Sequence, residues 1–258
     1  MKFNGINVQI SPKAIIGKNV RIGDNTTIYD NVEIKDNCTI CDGCVIGEPL
    51  NDYYSNPDYE NPKTVIGENA TIRSFTIIYA GCEFGKFFNT GHRAIFREYT
   101  IMGDYCSLGS QSIIQGHAVT GDYCRLHTNV LIATGSKLGS YIYIYPFVCF
   151  SNDPHPPSKI VTAPIIGSYS QIAIHSVVLP GVKIGEQVLI GANTTVTKDV
   201  PDGSLVMGNP GKVIGPVTMI KSKLKEGSHY PWMYNFDRGM PWEGIGYDNW
   251  LAQGGEKK

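Results

Sequence analysis

The chain has 258 residues, and its 22 basic and 23 acidic side chains give a formal net charge of −1 at pH 7. This balance argues against nucleic acid or an anionic membrane as the main partner, because both attract strongly basic surfaces. The opening residues MKFNGINVQISPK contain no apolar signal segment. No stretch approaches the about 18 apolar residues of a membrane span, so we expect a cytoplasmic protein.

A six-residue repeat dominates the chain between Ile66 and Phe150. An amphipathic helix repeats near every 3.6 residues and an exposed strand near every 2, so neither explains this period. Three short strands per coil do, which predicts an all-β parallel β-helix of hexapeptide repeats with a triangular cross-section. Every sixth position is apolar or, in two cases, threonine: Ile66, Ile72, Ile78, Phe84, Thr90, Phe96, Met102, Leu108, Ile114, Thr120, Leu126, Ile132, Leu138, Ile144 and Phe150.

In chain order, residues 1–15 are expected to cap the first coil, and regular hexads follow from Ile16 to Ile46. Two loops then interrupt the repeat, at about residues 48–61 and 152–164. Counting three hexads per coil places both loops at the same corner of the prism. About nine coils at roughly 4.8 Å each predict a prism about 43 Å long.

The last part of the chain departs from the repeat. We expect residues 1–215 to form the β-helix domain and residues 216–258 to form a short helix, near 216–225, followed by an aromatic tail. All three tryptophans lie between Tyr230 and Leu251. A segment this short cannot build its own core. It is therefore expected to pack on the solenoid or on a neighbouring subunit.

Three cysteines, Cys38, Cys41 and Cys44, imitate a metal-binding run. Cys38 and Cys44, however, occupy the small fifth position of their hexads, where a free cysteine packs well. No second CxxC pair follows, and the nearest histidine is His92. We therefore expect packing, with no metal and no disulfide framework.

Residues 13–215 resemble the hexapeptide-repeat acyltransferases. The segment IIGSYSQIAIHSVVLPGVKIGEQVLIGANTTVTKDVPDGSLVMGNPGKVIG is similar to their acyl-CoA-binding end. The segments GEPLNDYY, TGHRAIFRE and SNDPHPPS resemble N-acyltransferases of nucleotide-linked amino-deoxy sugars, including the anthrose-pathway enzymes that act on a dTDP-linked sugar. The resemblance implies a left-handed β-helix, a homotrimer with active sites between subunits, and acyl-CoA and a nucleotide-linked amino sugar as partners.

Two groups of polar residues are candidates for chemistry. A general base that accepts the proton of the attacking amine is the natural role of histidine, whose ordinary pKa is about 6.5. His92 and Glu98 are the catalytic candidates, although Arg97 and Glu98 also fit a plain surface ion pair. Stacking of coils every 18 residues places Glu98 with His117, Asn152 and Asp153 on one edge, and His92 with His127 on another face. We expect the two groups to meet across a subunit contact, with substrate binding by Arg93, His117, His127, Asn152, Asp153, Tyr53 and Tyr54.

For the cofactor, the resemblance implies acyl-CoA contacts in the carboxyl-terminal coils and the exit turn: Ala173, Gly191, Lys198, Gly208, Asn209 and Pro210. It also leaves open whether a protein base or the CoA sulfur accepts the proton.

Three other functions remain as alternatives. They are an O-acetyltransferase of sugar hydroxyls, a γ-type carbonic anhydrase with intersubunit zinc, and a scaffold without activity. The spacing of His92, His117 and His127 does not match the zinc-enzyme pattern. The acyl chain, the nucleotide base and the ring position of the amine stay open.

Overall fold

The computed structural model describes residues 5–223 and 226–255 and shows a parallel β-solenoid with three sheets. Most strands are two residues long, and the sheets are named A, B and C in chain order. Sheet A contains β1 Gln9–Ile10, β4 Thr27–Ile28, β7 Val45–Glu48, β10 Ile77–Tyr79, β13 Ile95–Phe96, β16 Ile113–Ile114, β19 Leu131–Ile132, β22 Cys149–Phe150, β25 Val177–Val178 and β28 Thr195–Val196.

The other two sheets follow the same pattern. Sheet B contains β2 Ile15–Ile16, β5 Val32–Ile34, β8 Thr64–Ile66, β11 Glu83–Phe84, β14 Ile101–Met102, β17 Val119–Thr120, β20 Lys137–Leu138, β23 Ile165–Ile166 and β26 Lys183–Ile184. Sheet C contains β3 Arg21–Ile22, β6 Thr39–Ile40, β9 Thr71–Ile72, β12 Asn89–Thr90, β15 Ser107–Leu108, β18 Arg125–Leu126, β21 Tyr143–Ile144, β24 Gln171–Ile172, β27 Leu189–Ile190, β29 Ser204–Met207 and β30 Lys212–Pro216.

The hexad frame sets the register between coils. Ile95 pairs with Ile113 and Phe96 with Ile114, an offset of 18 residues that brings equivalent positions together. The second residue of each two-residue strand points inward, so Phe96 and Ile114 are fully buried in a single core that runs through the prism. The all-β hexapeptide solenoid is therefore confirmed, while its left-handedness stays a prediction.

The predicted number of coils was too small. Within the described residues the three sheets contain ten, nine and eleven strands. The excess arises at the two ends, where the hexad pattern is weakest. Strand β1 begins a coil before Ile16, and β29 continues sheet C after the last regular hexad, at Val196.

The corner between sheets B and C, named the BC corner, carries two stacked columns. One is glycine, because a Cβ atom added to Gly103 would meet the backbone of Gly121 at 2.8 Å and the Asp122 carboxylate. The other is aromatic, with ring centroids 4.7, 4.7, 5.2 and 4.8 Å apart along Phe87, Tyr105, Tyr123, Tyr141 and Tyr169. The aromatic column is therefore a stacked ladder that runs through five successive coils.

Both inserted loops lie at the corner between sheets A and B, named the AB corner. The first connects β7 to β8 and contains a 3₁₀ helix at Asn51–Tyr54. The second connects β22 to β23. Their shared corner is confirmed. The first loop is closed by Tyr59, whose hydroxyl donates to Asn61 Oδ1 at 2.7 Å and accepts from the Leu50 amide at 3.0 Å.

The predicted helix near residues 216–225 is wrong. Strand β30 pairs antiparallel with β29 as far as Pro216, and only a 3₁₀ turn follows at Val217–Met219. Ile220 is extended, and Lys221 bridges to Ser228. Residues 224 and 225 lie outside the described residues. A second 3₁₀ turn spans Trp232–Tyr234, and the short α-helix, α1, comes later, at Tyr247–Ala252.

The aromatic tail packs on sheet C and the BC corner of its own chain. Trp242 is fully buried, and the Trp232 indole donates to the Tyr169 carbonyl at 2.9 Å. Tyr141, Tyr143 and Tyr169 form the solenoid side of this second apolar cluster. Of the two locations expected for the tail, its own solenoid is the one observed.

The cysteines are packing residues in this fold. Cys38, Cys41 and Cys44 are buried, and the Cys38 thiol donates to the Gly67 carbonyl at 3.1 Å. Desolvation raises the pKa of both Cys44 and Cys82 to about 12. In residues 5–223 and 226–255, no group of three His, Cys, Asp or Glu side chains is arranged to hold a metal ion. The same residues contain no helix long and apolar enough to cross a bilayer.

Candidate functional site

The corner between sheets C and A, named the AC corner, gathers most of the candidate residues. In sheet C, Arg125 pairs with Tyr143, Tyr143 with Gln171, and Gln171 with Leu189. The residues that follow these strands therefore also stack from one coil to the next. This places His127, Tyr145, Ala173 and Gly191 in one column. Coils are about 4.8 Å apart, so His127 and Ala173 are separated by two coils, or about 10 Å.

A groove of about 670 Å³ lies between this corner, the outer surface of sheet C and the tail. Both histidines of the AC corner, His92 and His127, line it. Three arginines also line it, and no carboxylate does: Arg73, Arg125 and Arg238. The groove is therefore a positively charged channel with hydroxyl and amide groups along its floor.

The two histidines have different surroundings. His92 is exposed, and its backbone amide donates to Ser110 Oγ at 3.0 Å in the next coil. The His127 ring stacks on Tyr145, with centroids 5.1 Å apart and an angle of 7° between the planes. Desolvation, helped by the nearby Arg125 charge, lowers the pKa of His127 below the ordinary value of 6.5. His127 therefore favours its neutral form, and the exposed His92 imidazole is free to meet a ligand.

Glu98 lies at the AB corner, one strand and one corner away from His92, as the hexad count predicts. Its carboxylate accepts two hydrogen bonds from Arg97, from Nε at 2.8 Å and from Nη2 at 3.2 Å. Arg97 in turn lies over the Tyr79 ring, 4.8 Å from its centroid. His117 stands beside Glu98, donating its backbone amide to the Glu98 carbonyl at 2.8 Å, and its ring packs against Tyr99. Within one chain, His92 and Glu98 do not form one site.

The remaining AB candidates belong to the two loops. Asp153 accepts from Ser158 Oγ at 2.6 Å and from the amides of Ser158 and His155, and these bonds lower the pKa of its carboxyl. Asp153 thus holds its own loop together. Asn152 Nδ2 donates to the Thr134 carbonyl at 3.4 Å. In the first loop, the rings of Tyr53 and Tyr54 are exposed and pack edge to face.

The predicted cofactor residues divide between two corners. Ala173 and Gly191 lie on the AC corner, and the Gly208, Asn209 and Pro210 turn continues that edge, because the Gly208 carbonyl accepts from the Thr195 amide. Lys198 follows β28 and lies on the AB corner instead. Arg93 is next to His92, with its guanidinium 5.7 Å from the Phe75 ring centroid.

Sequence reasoning missed the arginines of the groove. Arg73 takes the position that Gly91 and Gly109 hold in the next two coils, and Arg125 follows the small polar Asn89 and Ser107 in its column, local departures that the 18-residue alignment displays. Arg238 gives no such signal. It reaches the groove only because the tail docks, with Arg125 Nη2 donating to the carbonyls of Arg238 at 3.1 Å and Gly239 at 2.9 Å.

The fold and the histidine-lined edge define a hexapeptide solenoid. Residues 13–48 and 163–198 match the family described as "Bacterial transferase hexapeptide (six repeats)". The two matched segments lie towards opposite ends of the solenoid, and their repeats are similar to those of this family.

Two curated relatives are similar over short regions. The protein named "Putative acetyltransferase YvoF" of Bacillus subtilis (strain 168) is 42% identical over 62 residues, which are 24% of this chain and 36% of that protein. The dTDP-3-amino-3,6-dideoxy-alpha-D-galactopyranose 3-N-acetyltransferase of Aneurinibacillus thermoaerophilus is 41% identical over 61 residues, covering 24% of this chain and 32% of that protein. The chain thus spans about a third of the length of these relatives.

Among solved structures, a UDP-N-acetylglucosamine acyltransferase is similar over 81% of this chain and 71% of that chain. Its TM-score is 0.49 and the sequence identity is 21%.

Proposed function

We propose that the protein is an acyl-CoA-dependent N-acyltransferase that transfers an acetyl or other small acyl group to the amine of a nucleotide-linked amino sugar. The observation that carries this proposal is the AC corner, where the expected acyl-CoA positions Ala173 and Gly191 share one column with His127, and His92 lines the same groove two coils earlier. A relative that acetylates a dTDP-linked amino sugar supports the acceptor class.

The chemistry needs few protein groups. The amine attacks the thioester carbonyl, a C–N bond forms, the C–S bond breaks, and the CoA thiolate leaves. Alignment of two bound substrates can contribute about 7–11 kcal/mol to such a step. His92, exposed in the groove, accepts the ammonium proton, and a general base of this kind adds roughly 10²- to 10⁴-fold. In the alternative route the departing CoA sulfur takes that proton.

The full site is proposed to form between subunits of a homotrimer. The His92 wall of one subunit would face the AB corner of its neighbour, which carries Glu98, His117, Asn152 and the exposed Tyr53 and Tyr54 rings. Glu98 would then contact the sugar or the attacking amine, with Arg97 holding its carboxylate in place. Symmetric assembly repeats this pairing at each contact.

The test is a thiol-release assay with acetyl-CoA and longer acyl-CoAs against dTDP- and UDP-linked amino sugars, each paired with the hydroxyl sugar of the same nucleotide. We expect release with an amino sugar and none with its hydroxyl partner. Release with the hydroxyl sugar alone would replace the proposal by O-acetyl transfer. Thermal stabilisation by CoA separates an enzyme from a scaffold, and metal analysis of the purified protein tests the zinc-enzyme alternative.

A further inference from the structure

We infer that the groove between sheet C and the tail binds the nucleoside diphosphate part of the acceptor, with Arg73, Arg125 and Arg238 meeting the diphosphate. This inference rests on the proposed function, because it assigns one half of the same site to one of its two substrates. It also gives the aromatic tail a role, as the outer wall of a nucleotide cleft.

The charge of the groove favours a multiply charged anion. None of the three arginines forms an ion pair with a carboxylate of residues 5–223 or 226–255, and the residues lining the groove include no Asp or Glu. Arg73 is anchored by the Thr90 carbonyl at 2.8 Å and by Asn89, and Arg125 by two tail carbonyls. These bonds direct the side chains without neutralising them. Guanidinium groups recognise phosphate through paired hydrogen bonds.

A buried hydroxyl beside the arginines has no partner in the described part of the chain. Tyr143 is 9% exposed, and its hydroxyl is buried without a hydrogen bond. An unpaired buried polar group is costly. Gln171 is the register partner of Tyr143 in the next coil. A flat ring with donors and acceptors would give the Tyr143 hydroxyl a partner.

The space next to these groups suits a flat ring. A smaller cleft continues from the groove between Tyr145, Tyr230, Trp232 and Phe236, with Tyr143 and Gln171 among its walls. The Phe236 ring stands edge-on to Tyr143, with centroids 5.8 Å apart. Aromatic walls with an amide nearby are the surfaces on which nucleic-acid bases stack.

A diphosphate is also present in CoA, so the two sources must be separated. The order of these residues along the solenoid favours the acceptor, rather than CoA, as the source of the diphosphate. The expected acyl-CoA positions begin at Ala173 and continue towards the carboxyl-terminal end, whereas Arg125 lies two coils before Ala173, in the coil of His127, and Arg73 lies five coils before it. The arginines therefore precede the expected acyl-CoA positions, and the smaller cleft at Gln171 is the part of the groove that adjoins them.

The experiment measures binding to the full-length protein by titration calorimetry, with dTDP, UDP, CoA and inorganic pyrophosphate as separate probes. We expect dTDP or UDP to bind, and Arg73→Gln or Arg238→Gln to weaken that binding at least about tenfold, because each removes a charge-assisted hydrogen bond. CoA affinity should change less than about twofold. Arg21→Gln, which removes the same charge from sheet C outside the groove, is the matched control and should bind like the parent protein.

Three results would overturn the inference: no binding of either nucleoside diphosphate, equal losses in the Arg21→Gln control, or a loss of CoA affinity with nucleotide affinity unchanged. The last would assign the groove to the cofactor. Near-ultraviolet circular dichroism of each variant checks that the tail stays docked. Because binding is measured without turnover, a protein that binds dTDP but transfers no acyl group would contradict the proposed function and leave the nucleotide cleft supported.

Discussion

At the scale of single residues, the first prediction concerns the exposed imidazole of His92 as a general base. If it accepts the amine proton, His92→Asn should lower kcat roughly 10²-fold or more with little change in KM, as loss of a general base does. Steady-state kinetics with both substrates measures this. A loss carried by KM instead would assign His92 to sugar binding, and an unchanged kcat would favour proton transfer to the CoA sulfur.

The second prediction at this scale concerns the pKa of His127. Desolvation and Arg125 lower the pKa of His127, so the folded chain binds fewer protons there than the unfolded chain. This group's contribution to stability is therefore fully present above about pH 6.5 and is lost as pH falls through the lower folded-state value. Titration of the imidazole resonances by NMR should give His127 a midpoint below that of an exposed histidine. A midpoint at or above 6.5 would contradict it.

The location of a candidate residue could be predicted from the sequence only where the repeat fixes the corner of the prism on which that residue lies. The 18-residue offset separated His92 from Glu98 and grouped Glu98 with His117, and the structure agrees. Ion-pair partners and loop closure do not follow from the offset. Substrate binding by Asp153 stays a prediction, and its oxygens hold the loop through Ser158 and His155, contacts that depend on the loop's own path.

At the scale of elements, the tail is expected to be a separately melting unit. Trp242 is fully buried and touches Tyr141, Trp232 and Tyr247. Removing a buried aromatic side chain typically costs about 3–5 kcal/mol, so Trp242→Ala should release the tail while the solenoid stays folded. Hydrogen exchange should then rise in residues 230–252 and remain slow in the inward strand positions.

The exposed Tyr234 supplies the control for this tail prediction. Tyr234→Ala alters the same segment but removes a side chain that is 52% exposed, so exchange should change little. Protection of the tail that survives Trp242→Ala, or loss of protection throughout the solenoid, would contradict a locally docked tail.

The strands inside the repeat could be predicted because each six-residue unit buries one inward side chain in the same way. The inserted loops could be predicted because they interrupt the six-residue repeat. The segment that ends the solenoid could not, because β30 depends on pairing with β29 and no periodic pattern marks that hairpin. The position of the helix could not be predicted for the same reason: Pro216 ends a strand, and α1 begins 31 residues later, in the tail.

At the scale of the whole molecule, sheet A is the expected contact face of a trimer. Its outward row is apolar over successive coils, whereas sheet B interleaves Glu33, Glu83 and Lys137 with its apolar residues. The outward sheet A side chains are half-buried and in register: Val45, Ile77, Ile95, Ile113, Leu131 and Val177. A continuous apolar face of this kind favours association.

Light scattering tests this assembly. The parent protein should have three times the chain mass at micromolar concentration, and Ile113→Glu, which places a charge in the middle of sheet A, should give monomers. Val119→Glu makes the same change on sheet B, where the parent side chain is 40% exposed, and should remain trimeric. A monomeric parent protein would rule out the intersubunit site.

Mixed trimers test whether the two walls come from different subunits. Co-assembled His92→Asn and Glu98→Gln chains, each inactive alone, should recover part of the activity, because some contacts then pair an intact His92 wall with an intact Glu98 wall. Subunit exchange must be shown independently. Absence of any recovery after proven exchange would contradict the two-wall arrangement.

The antiparallel strand at the end of sheet C affects whether one solenoid can add to the end of another. A parallel solenoid with open ends is a template on which another copy can add its first coil, and repeated addition would build a filament. In this chain β30 runs against β29 and covers the last edge of sheet C, one of the three edges that a following coil would need. Addition of a parallel coil is therefore blocked on sheet C, which opposes end-to-end growth of the rod.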